Sequence, residues 1–360
     1  MSDVAVPTIC TVCFANYLPQ AMVLARSLAD HGHDLHLLVI DGVPETALAS
    51  LLPNVHLHAT ANVIDDPTIS MWREMYDITE QATAVKPWFF GSLLRDRSGP
   101  VVYIDPDMLA LADPWPPLRE VLLRAPIALT PHLLLTSQPP EALSLVLSNG
   151  VYNLGFLAVV PGAEAFIEWW KERLRYDCLL DSMRNLAVDQ RWVDLAPSLF
   201  SVAIVDDPGI NLGPWNTHER TIRAATNRPG SDAGEWTVQL IGRDREHPVR
   251  LAHFSKGTLR PLASGGSSEA AITALDESYA SMVAHERERF GLLPQPVFER
   301  RVGYRRAARA AAMAKAQTTP GRRRARWRSR RTELTTIGLE LARRYRHTRL
   351  VRWLKRTQRT

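Results

Sequence analysis

Between residues 101 and 108 the chain reads Val-Val-Tyr-Ile-Asp-Pro-Asp-Met. Four apolar residues predict a short buried strand. Asp105 and Asp107 follow it at i and i+2, so both carboxylates can face one side. Two adjacent anions repel unless a cation stands between them. Hard oxygen ligands at this spacing suit magnesium or manganese bridging a diphosphate. Such an ion would neutralise the charge that develops on a departing nucleoside diphosphate. The same D-x-D pattern occurs in solvated loops, so its meaning depends on what surrounds it.

The elements that must position this pair alternate between strand and helix. Thr8–Phe14 and Leu35–Ile40 read as short apolar strands, the second ended by the turn dipeptide Asp41-Gly42. Between them Ala21, Leu24, Ala25 and Leu28 recur at helical spacing. Val55 and Leu57 alternate with His56 and His58, the pattern of a half-buried strand. A helix is expected over Lys86–Arg95 and further strands over Val101–Ile104 and Ile127–Thr130. This order implies an α/β fold with a mostly parallel sheet and ligands bound beyond the carboxyl ends of its strands. The second half adds a glycine-containing strand, Val151–Val160, and a helix, Ala163–Tyr176, with Phe166, Trp169, Trp170 and Leu174 on its apolar side. Short strands are expected at Val202–Val205, Trp236–Ile241 and Arg250–Phe254. A break at Ser264–Ser268 precedes a long helix, Glu269–Phe290, and Pro294 and Pro296 then mark a linker. There is no repeat of fixed period.

The 360 residues, 46% of them apolar, are enough for one large domain with appendages and argue against wholesale disorder. The N-terminus has no signal-peptide pattern, and no run approaches the ~18 apolar residues of a membrane span, so a cytoplasmic protein is expected. Three cysteines fit a reducing compartment. Cys10 and Cys13 form a C-x-x-C inside a strand, where i and i+3 face opposite sides, and they read as core thiols. Charge is divided sharply. Residues 300–360 carry 21 Lys/Arg and 2 Asp/Glu, a net of +19, and residues 1–299 carry 22 and 36, a net of −14; together these give +5.

With these blocks in order, the sequence resembles the GT-A-fold glycosyltransferases, most closely family 8 and its bacterial relatives, over roughly residues 8–260. Asn16-Tyr17 and the helix ending Ala25-Arg-Ser-Leu28 look like that family's first nucleotide-binding loop. Tyr103-Ile-Asp105-Pro-Asp107 looks like its metal-binding D-x-D. Tyr152-Asn153-Leu-Gly155 resembles its Asn-x-Gly strand lining the donor sugar, and Asp189-Gln190 its Asp-Gln pair beside the reacting carbon. His253-Phe-Ser-Lys256-Gly257 resembles its C-terminal histidine metal motif. The resemblance implies a Rossmann-like mixed sheet with helices on both faces over 1–262; composition and pattern add a helical extension over 263–299 and a basic, partly amphipathic tail over 300–360. It implies a retaining hexosyltransferase using a UDP-sugar, and a glycan or lipid-linked acceptor in cell-surface polysaccharide or glycoconjugate synthesis. The implied metal ligands are Asp105, Asp107 and His253. Donor contacts would come from Asn16, Tyr17, Lys86, Asp105, Asn153, Gly155, Lys256 and Gly257, and catalysis from Gln190 and Asp189.

Each carry-over has a physical sense and a plainer rival. The nitrogen of His253 would tilt a two-carboxylate site from Mg2+ toward Mn2+; the rival is an ordinary core or surface histidine. Asn153 can donate to and accept from a sugar hydroxyl at once, or can simply form a turn beside a glycine. Gln190 could offer its carbonyl oxygen to an oxocarbenium-like centre, while Asp189 could instead cap the helix that follows. Lys86 and Lys256 could meet a diphosphate or sit solvated. The sequence also departs from the family pattern. Phe14 and Ala15 stand where a base-reading carboxylate often precedes Asn-Tyr, and Gly257 falls one position late, leaving Lys256 or Arg260 as the phosphate-binding cation. His31, His33 and His36 flank a glycine as at a helix C-terminus and carry no metal signal.

Two other functions remain open at this stage. A haloacid-dehalogenase-type phosphatase also places Asp-x-Asp after a buried strand, but Leu109 stands where that fold wants Thr or Val, and about a hundred residues precede the motif. A nucleic-acid adaptor would act through the basic tail alone. Within that tail Ile337, Leu341, Tyr345 and Val351 or Leu354 lie among arginines, the pattern of a helix on an anionic membrane; a merely solvated tail is the plainer alternative, and nucleic acid is the lesser expectation. Attraction is roughly 1 kcal/mol per basic residue near such a surface, while the acidic body should be repelled. In liposome flotation the full chain is expected to float with anionic lipid at low salt and a 1–299 truncation to stay down. Equal flotation, or binding indifferent to lipid charge, would exclude a membrane tail, and tight salt-sensitive binding to DNA alone would make it a nucleic-acid arm.

Overall fold

A computed structural model describes residues 6–95, 99–224, 236–262 and 268–296. Its core is a seven-stranded mixed sheet formed by β1 (Thr8–Cys13), β2 (Leu35–Val39), β3 (Val55–His58), β4 (Val101–Ile104), β6 (Ile127–Pro131), β7 (Tyr152–Val159) and β10 (Val202–Ile204). The spatial order is β10-β6-β7-β4-β1-β2-β3. β1 is parallel to β2 and β4, β2 to β3 and β6 to β10, whereas β7 runs antiparallel to both β4 and β6. Only β7 is reversed, so the sheet is mostly parallel as expected. The remaining strands are β5 (Met108–Ala110), β8 (Leu180–Asp181), β9 (Leu186–Ala187), β11 (Arg220–Ala224), β12 (Trp236–Leu240), β13 (Glu246–Pro248) and β14 (Leu251–His253). β5 pairs with β14, β8 with β9, and β11-β12-β13 form an antiparallel ribbon.

Strand alternation sorts the core onto two faces. Ile9, Cys13, Leu37, Val102 and Ile104 pack with Leu18, Leu24 and Leu28 of the helix Leu18–Ala29 and with Leu118 and Val121 of Trp115–Leu122. On the opposite face Tyr103 meets Phe90 of the helix Lys86–Arg95, ring centroids 6.3 Å apart. Phe90 in turn meets Trp170 of Glu164–Asp177 at 6.1 Å. Helices therefore cover both faces, as parallel strands require. Cys10 and Cys13 are buried and unpaired with each other, and burial pushes both thiols up, the behaviour of core residues. The Leu18–Ala29 helix ends as its glycine predicts. Gly32 takes φ +77°, and the His33 amide returns to Leu28 O at 3.0 Å.

The long helix Glu269–Phe290 lies on the body. Ile272, Leu275, Tyr279 and Val283 join a second core with Phe254 and Val238. Tyr279 stacks on Phe254 with centroids 3.9 Å apart. Glu286 is buried and accepts from Arg26 at 2.7 Å. Several segments escaped the sequence reading, three helices among them. Asp66–Met75 is capped by Asp65, whose side chain accepts from Thr68 N at 2.9 Å, and Ile78–Ala84 by a capping box of Asp77 and Glu80. Pro140–Asn149 is a third helix. No helix of the described residues is long and apolar enough to cross a membrane. The basic tail, 300–360, lies outside the described residues.

Candidate active site

Reversal of one strand assembles the site. β1 and β4 end side by side, β1 running on into Asn16-Tyr17 and β4 into Asp105. Because β7 runs the other way, its beginning lies against the end of β4: Ile104 pairs with Phe156, and Asp105 N donates to Gly155 O at 2.8 Å. Asn153 and Gly155 thereby enter the crevice beyond the carboxyl ends of the parallel strands, where such sheets bind ligands. After the turn at Asp105–Asp107, β5 pairs with β14, Met108 opposite His253. Phe254 N donates to Asp107 O at 2.9 Å, and His253 N to Leu212 O at 2.7 Å. Backbone ladders on both sides thus carry His253 to a motif that is remote in sequence.

Asp105, Asp107 and His253 each offer a ligand atom, and these atoms lie within 4.8 Å of one another. His253 Nε2 stands 3.2 Å from Asp107 Oδ1 and 3.9 Å from Asp105 Oδ2. The imidazole is buried. Burial alone would lower its pKa, but the Asp107 carboxylate more than offsets this and raises it. Gly155 completes the cradle. A Cβ there would come within 2.6 Å of His253 Cε1 and 2.8 Å of Asp105 Oδ2. Two carboxylates and one imidazole, with a glycine keeping space in front of them, form a donor set that could hold a hard divalent ion.

Lys86 is buried beneath the carboxylates and is not a solvated lysine. Its Nζ donates to Leu154 O at 3.0 Å, lies 3.5 Å from Asp105 Oδ1 and 3.6 Å from Asp189 Oδ2, and sits 4.4 Å over the Tyr103 ring. Burial pulls its pKa down, but Asp105 and Asp189 pull harder and the ammonium ends above the ordinary lysine range. Asp189 is 1% exposed and its side chain caps nothing, although it occupies the N-cap of Gln190–Val193. Its Oδ2 has no hydrogen-bond partner. Burial raises its carboxyl to about 6, with Lys86 opposing. Gln190 is anchored by its Nε2 on Asn149 O at 3.0 Å, and its Oε1 accepts from Asn153 Nδ2 at 3.2 Å and Leu154 N at 3.3 Å.

Of the remaining sequence candidates, Asn16 holds a buried Oδ1 with no hydrogen-bond partner. The Tyr17 phenol is half-buried and raised by burial and then by Asp107, which places it within reach of the aspartates' field. Lys256 and Gly257 lie on the turn just after His253, both with positive φ and both exposed. They are not drawn into the Asp105–Lys86–Asp189 cluster. The sequence reading missed Asn211, His132 and Trp215. Asn211 accepts from His253 Nδ1 at 3.0 Å. His132 is buried beside Asn153, and burial lowers it to about 4. The Trp215 ring packs edge-on against both His253 and His132. A signal for Asn211 existed: residues 211–213 repeat the Asn-Leu-Gly of 153–155. Asp41, at the end of β2, accepts from Ala15 N at 2.8 Å, a carboxylate beside the Asn16-Tyr17 loop that the local sequence lacks.

No family profile matches the chain. It is 29% identical over 262 residues to the uncharacterised protein YfnF of Bacillus subtilis (strain 168), spanning 68% of this chain and 80% of that one. Among solved structures, the galactosyltransferase LgtC, crystallised with donor and acceptor sugar analogues, covers 83% of this chain and 100% of its own at 17% identity and TM-score 0.44. Mouse xyloside xylosyltransferase 1 covers 58% and 88% at 14% identity and TM-score 0.35. Both of these neighbours are glycosyltransferases.

The glycine cradle is directly testable. Gly155→Ala is expected to fold, since the clash is with the His253 and Asp105 side chains, but to lose most Mn2+ binding by calorimetry. Parental Mn2+ affinity in Gly155→Ala would show that the ion does not sit there.

Proposed function

We propose that this protein is a metal-dependent glycosyltransferase that moves a hexose from a nucleoside-diphosphate sugar, a UDP-sugar by family resemblance, to a glycan or lipid-linked acceptor. The observation that carries this is the convergence of Asp105, Asp107 and His253 within 4.8 Å, beside a buried Lys86–Asp189 pair, at the carboxyl end of the sheet. Mn2+ or Mg2+ held by those three side chains would neutralise charge on a leaving diphosphate. The other parts belong to the chain itself. Lys86 sets its ammonium between Asp105 and Asp189 in a buried place. The buried Asp189 carboxylate, its Oδ2 3.6 Å from Lys86 Nζ, is an acceptor for sugar hydroxyls, and the buried Asn16 Oδ1 an acceptor for the nucleoside. Asn153 and Gly155 line the sugar, and the exposed Lys256-Gly257 turn can reach the diphosphate from the solvent side. Gln190 would offer its oxygen to the reacting carbon while the bonds from Asn153 and Leu154 hold it in place. On this reading residues 1–262 form the catalytic unit, and within the 263–299 extension the helix Glu269–Phe290 buttresses it through the Tyr279–Phe254 stack. The tail of 300–360 would bring the enzyme to an anionic, cytosol-facing membrane where lipid-linked acceptors lie, in synthesis of a surface polysaccharide or glycoconjugate.

Asp107→Asn should fold, yet lose donor turnover by about 10²-fold or more, the order expected when a charge-stabilising group is removed. EDTA should abolish parental activity and Mn2+ should restore it. Activity in a nucleotide-sugar hydrolysis screen that withstands EDTA would sink the metal-dependent reading. Gln190→Ala should lower kcat while the donor Kd by calorimetry stays within a few-fold, because its oxygen acts where positive charge develops. Equal loss in both quantities would make Gln190 a donor-positioning group instead.

A further inference from the structure

Asn211 is fully buried and holds a left-handed backbone, φ +59°, which asparagine tolerates better than most side chains. Asn216 pins the loop around it, its Nδ2 donating to Asn211 O at 3.1 Å and its Oδ1 accepting from Gly213 N at 2.9 Å. The Asn211 side chain has two partners. Its Oδ1 accepts from His253 Nδ1 at 3.0 Å, and its Nδ2 donates to Asn153 Oδ1 at 2.9 Å.

The direction of these bonds is dictated from the backbone. Gly155 N donates to Asn153 Oδ1 at 3.1 Å, which fixes the Asn153 oxygen on that side. Asn211 must then face it with its NH2 group and turn its oxygen to His253. An oxygen there requires a proton on Nδ1, which leaves the Nε2 lone pair toward Asp105 and Asp107. The other end of Asn153 is fixed too. Its Nδ2 donates to Gln190 Oε1, and Gln190 Nε2 is held by Asn149 O. Three side-chain amides thus run without a break from the metal-ligating histidine to the glutamine beside the reacting carbon, anchored by backbone groups along the way.

We propose that Asn211 is a positioning residue with two duties: it sets His253 with Nε2 free to ligate the metal, and it couples that ligand through Asn153 to Gln190. This rests on the metal-centre reading above. Partners of this kind, standing behind a ligating histidine, typically contribute 10–100-fold in metal affinity.

Two variants separate the duties. Asn211→Gly keeps the left-handed backbone and removes the side chain. Asn211→Asp keeps an oxygen for His253 but sets a second oxygen against Asn153 Oδ1, where two acceptors repel. Mn2+ alone is titrated into the parent, both variants and Asp107→Asn by electron paramagnetic resonance, with thermal melts as a folding control. UDP-glucose hydrolysis supplies kcat and the Mn2+ KM. Asn211→Gly should bind Mn2+ roughly 10–100-fold more weakly. Asn211→Asp should bind it within about threefold of the parent and still lose tenfold or more in kcat, the mark of a broken link to Gln190. Parental Mn2+ affinity in Asn211→Gly, with Asp107→Asn impaired, overturns the role of Asn211 and leaves the metal centre standing. Mn2+ loss in Asn211→Asp as large as in Asn211→Gly overturns the histidine-setting duty, and full kcat in Asn211→Asp overturns the coupling. Equal Mn2+ binding in all four proteins removes the metal centre itself.

Discussion

Asp105 and Asp107 are two carboxylates held two residues apart at the end of a buried strand, and their mutual repulsion is the constraint that the surrounding structure answers. Isolated, the pair would be costly in a place half shut from water. Lys86 answers from below, its ammonium 3.5 Å from Asp105, and His253 answers from the side, 3.2 Å from Asp107. Each answer brings its own desolvation, so each needs further partners. Lys86 finds them in Leu154 O, Asp189 and the Tyr103 ring. His253 finds one in Asn211. The cluster holds three carboxylates against one lysine and one histidine. Counted as ionised, the three carboxylates leave the cluster short of positive charge whether or not His253 carries a proton, and the place where a divalent cation would be bound most strongly is between Asp105, Asp107 and His253.

The topology exists to make that cluster. Had β7 run parallel to β4, its Asn153-Leu-Gly155 start would lie at the far end of the sheet, more than 10 Å away by strand rise alone. Reversal puts it against Asp105 instead. β5 and β14 do the same for His253, since a two-strand antiparallel ladder fixes register to one residue and a slip of one would turn the imidazole to the other face. The Glu269–Phe290 helix then fastens this ladder from behind, Tyr279 stacking on Phe254, the residue next to His253. A helix that the sequence marks only by its length and flanking breaks is thus one side chain removed from the candidate metal-ligating set.

What the sequence made legible follows from how local each signal is. The strand Val101–Ile104 and the helices Lys86–Arg95 and Glu269–Phe290 have their expected bounds because a continuous apolar run, or a strong helical period with flanking breaks, specifies them within one window. The ribbon β11-β12-β13 was only partly visible, because its half-exposed strands carry mixed residues and are defined by one another. The helices Asp66–Met75 and Ile78–Ala84 start at Asp65 and Asp77, caps whose signals are present but lack a long apolar period behind them. In the site, residues belonging to short motifs were found, and Asn211, His132 and Trp215 were not. Their roles come from pairing across the fold: Asn211 lies 58 residues from Asn153 and 42 from His253. Lys86 was found as a cation, but its burial between two aspartates is a property of the sheet and cannot be read from residue 86.

Backbone strain follows the same geography. Among the described non-glycine residues with positive φ are Val188, Asn211 and Lys256, and each adjoins a residue of the site. Asparagine at 211 is at ease there. Val188 at φ +46° is not, because a β-branched side chain crowds its own backbone in that region. Strain of this kind costs about 1–3 kcal/mol and persists only where the surroundings over-determine it. Here they do: Val188 N is tied to Leu179 O at 3.0 Å, and the next residue, Asp189, is buried against Lys86. A relaxed turn at 188 would let Asp189 cap the helix Gln190–Val193, as its position in the sequence invites, and its carboxylate would spend itself on backbone amides. The strained turn directs it inward, where it stays uncapped and its Oδ2 faces Lys86 Nζ at 3.6 Å. That carboxylate keeps Lys86 charged beneath Asp105, so the conformation of one valine bears on the electrostatic balance of the whole site.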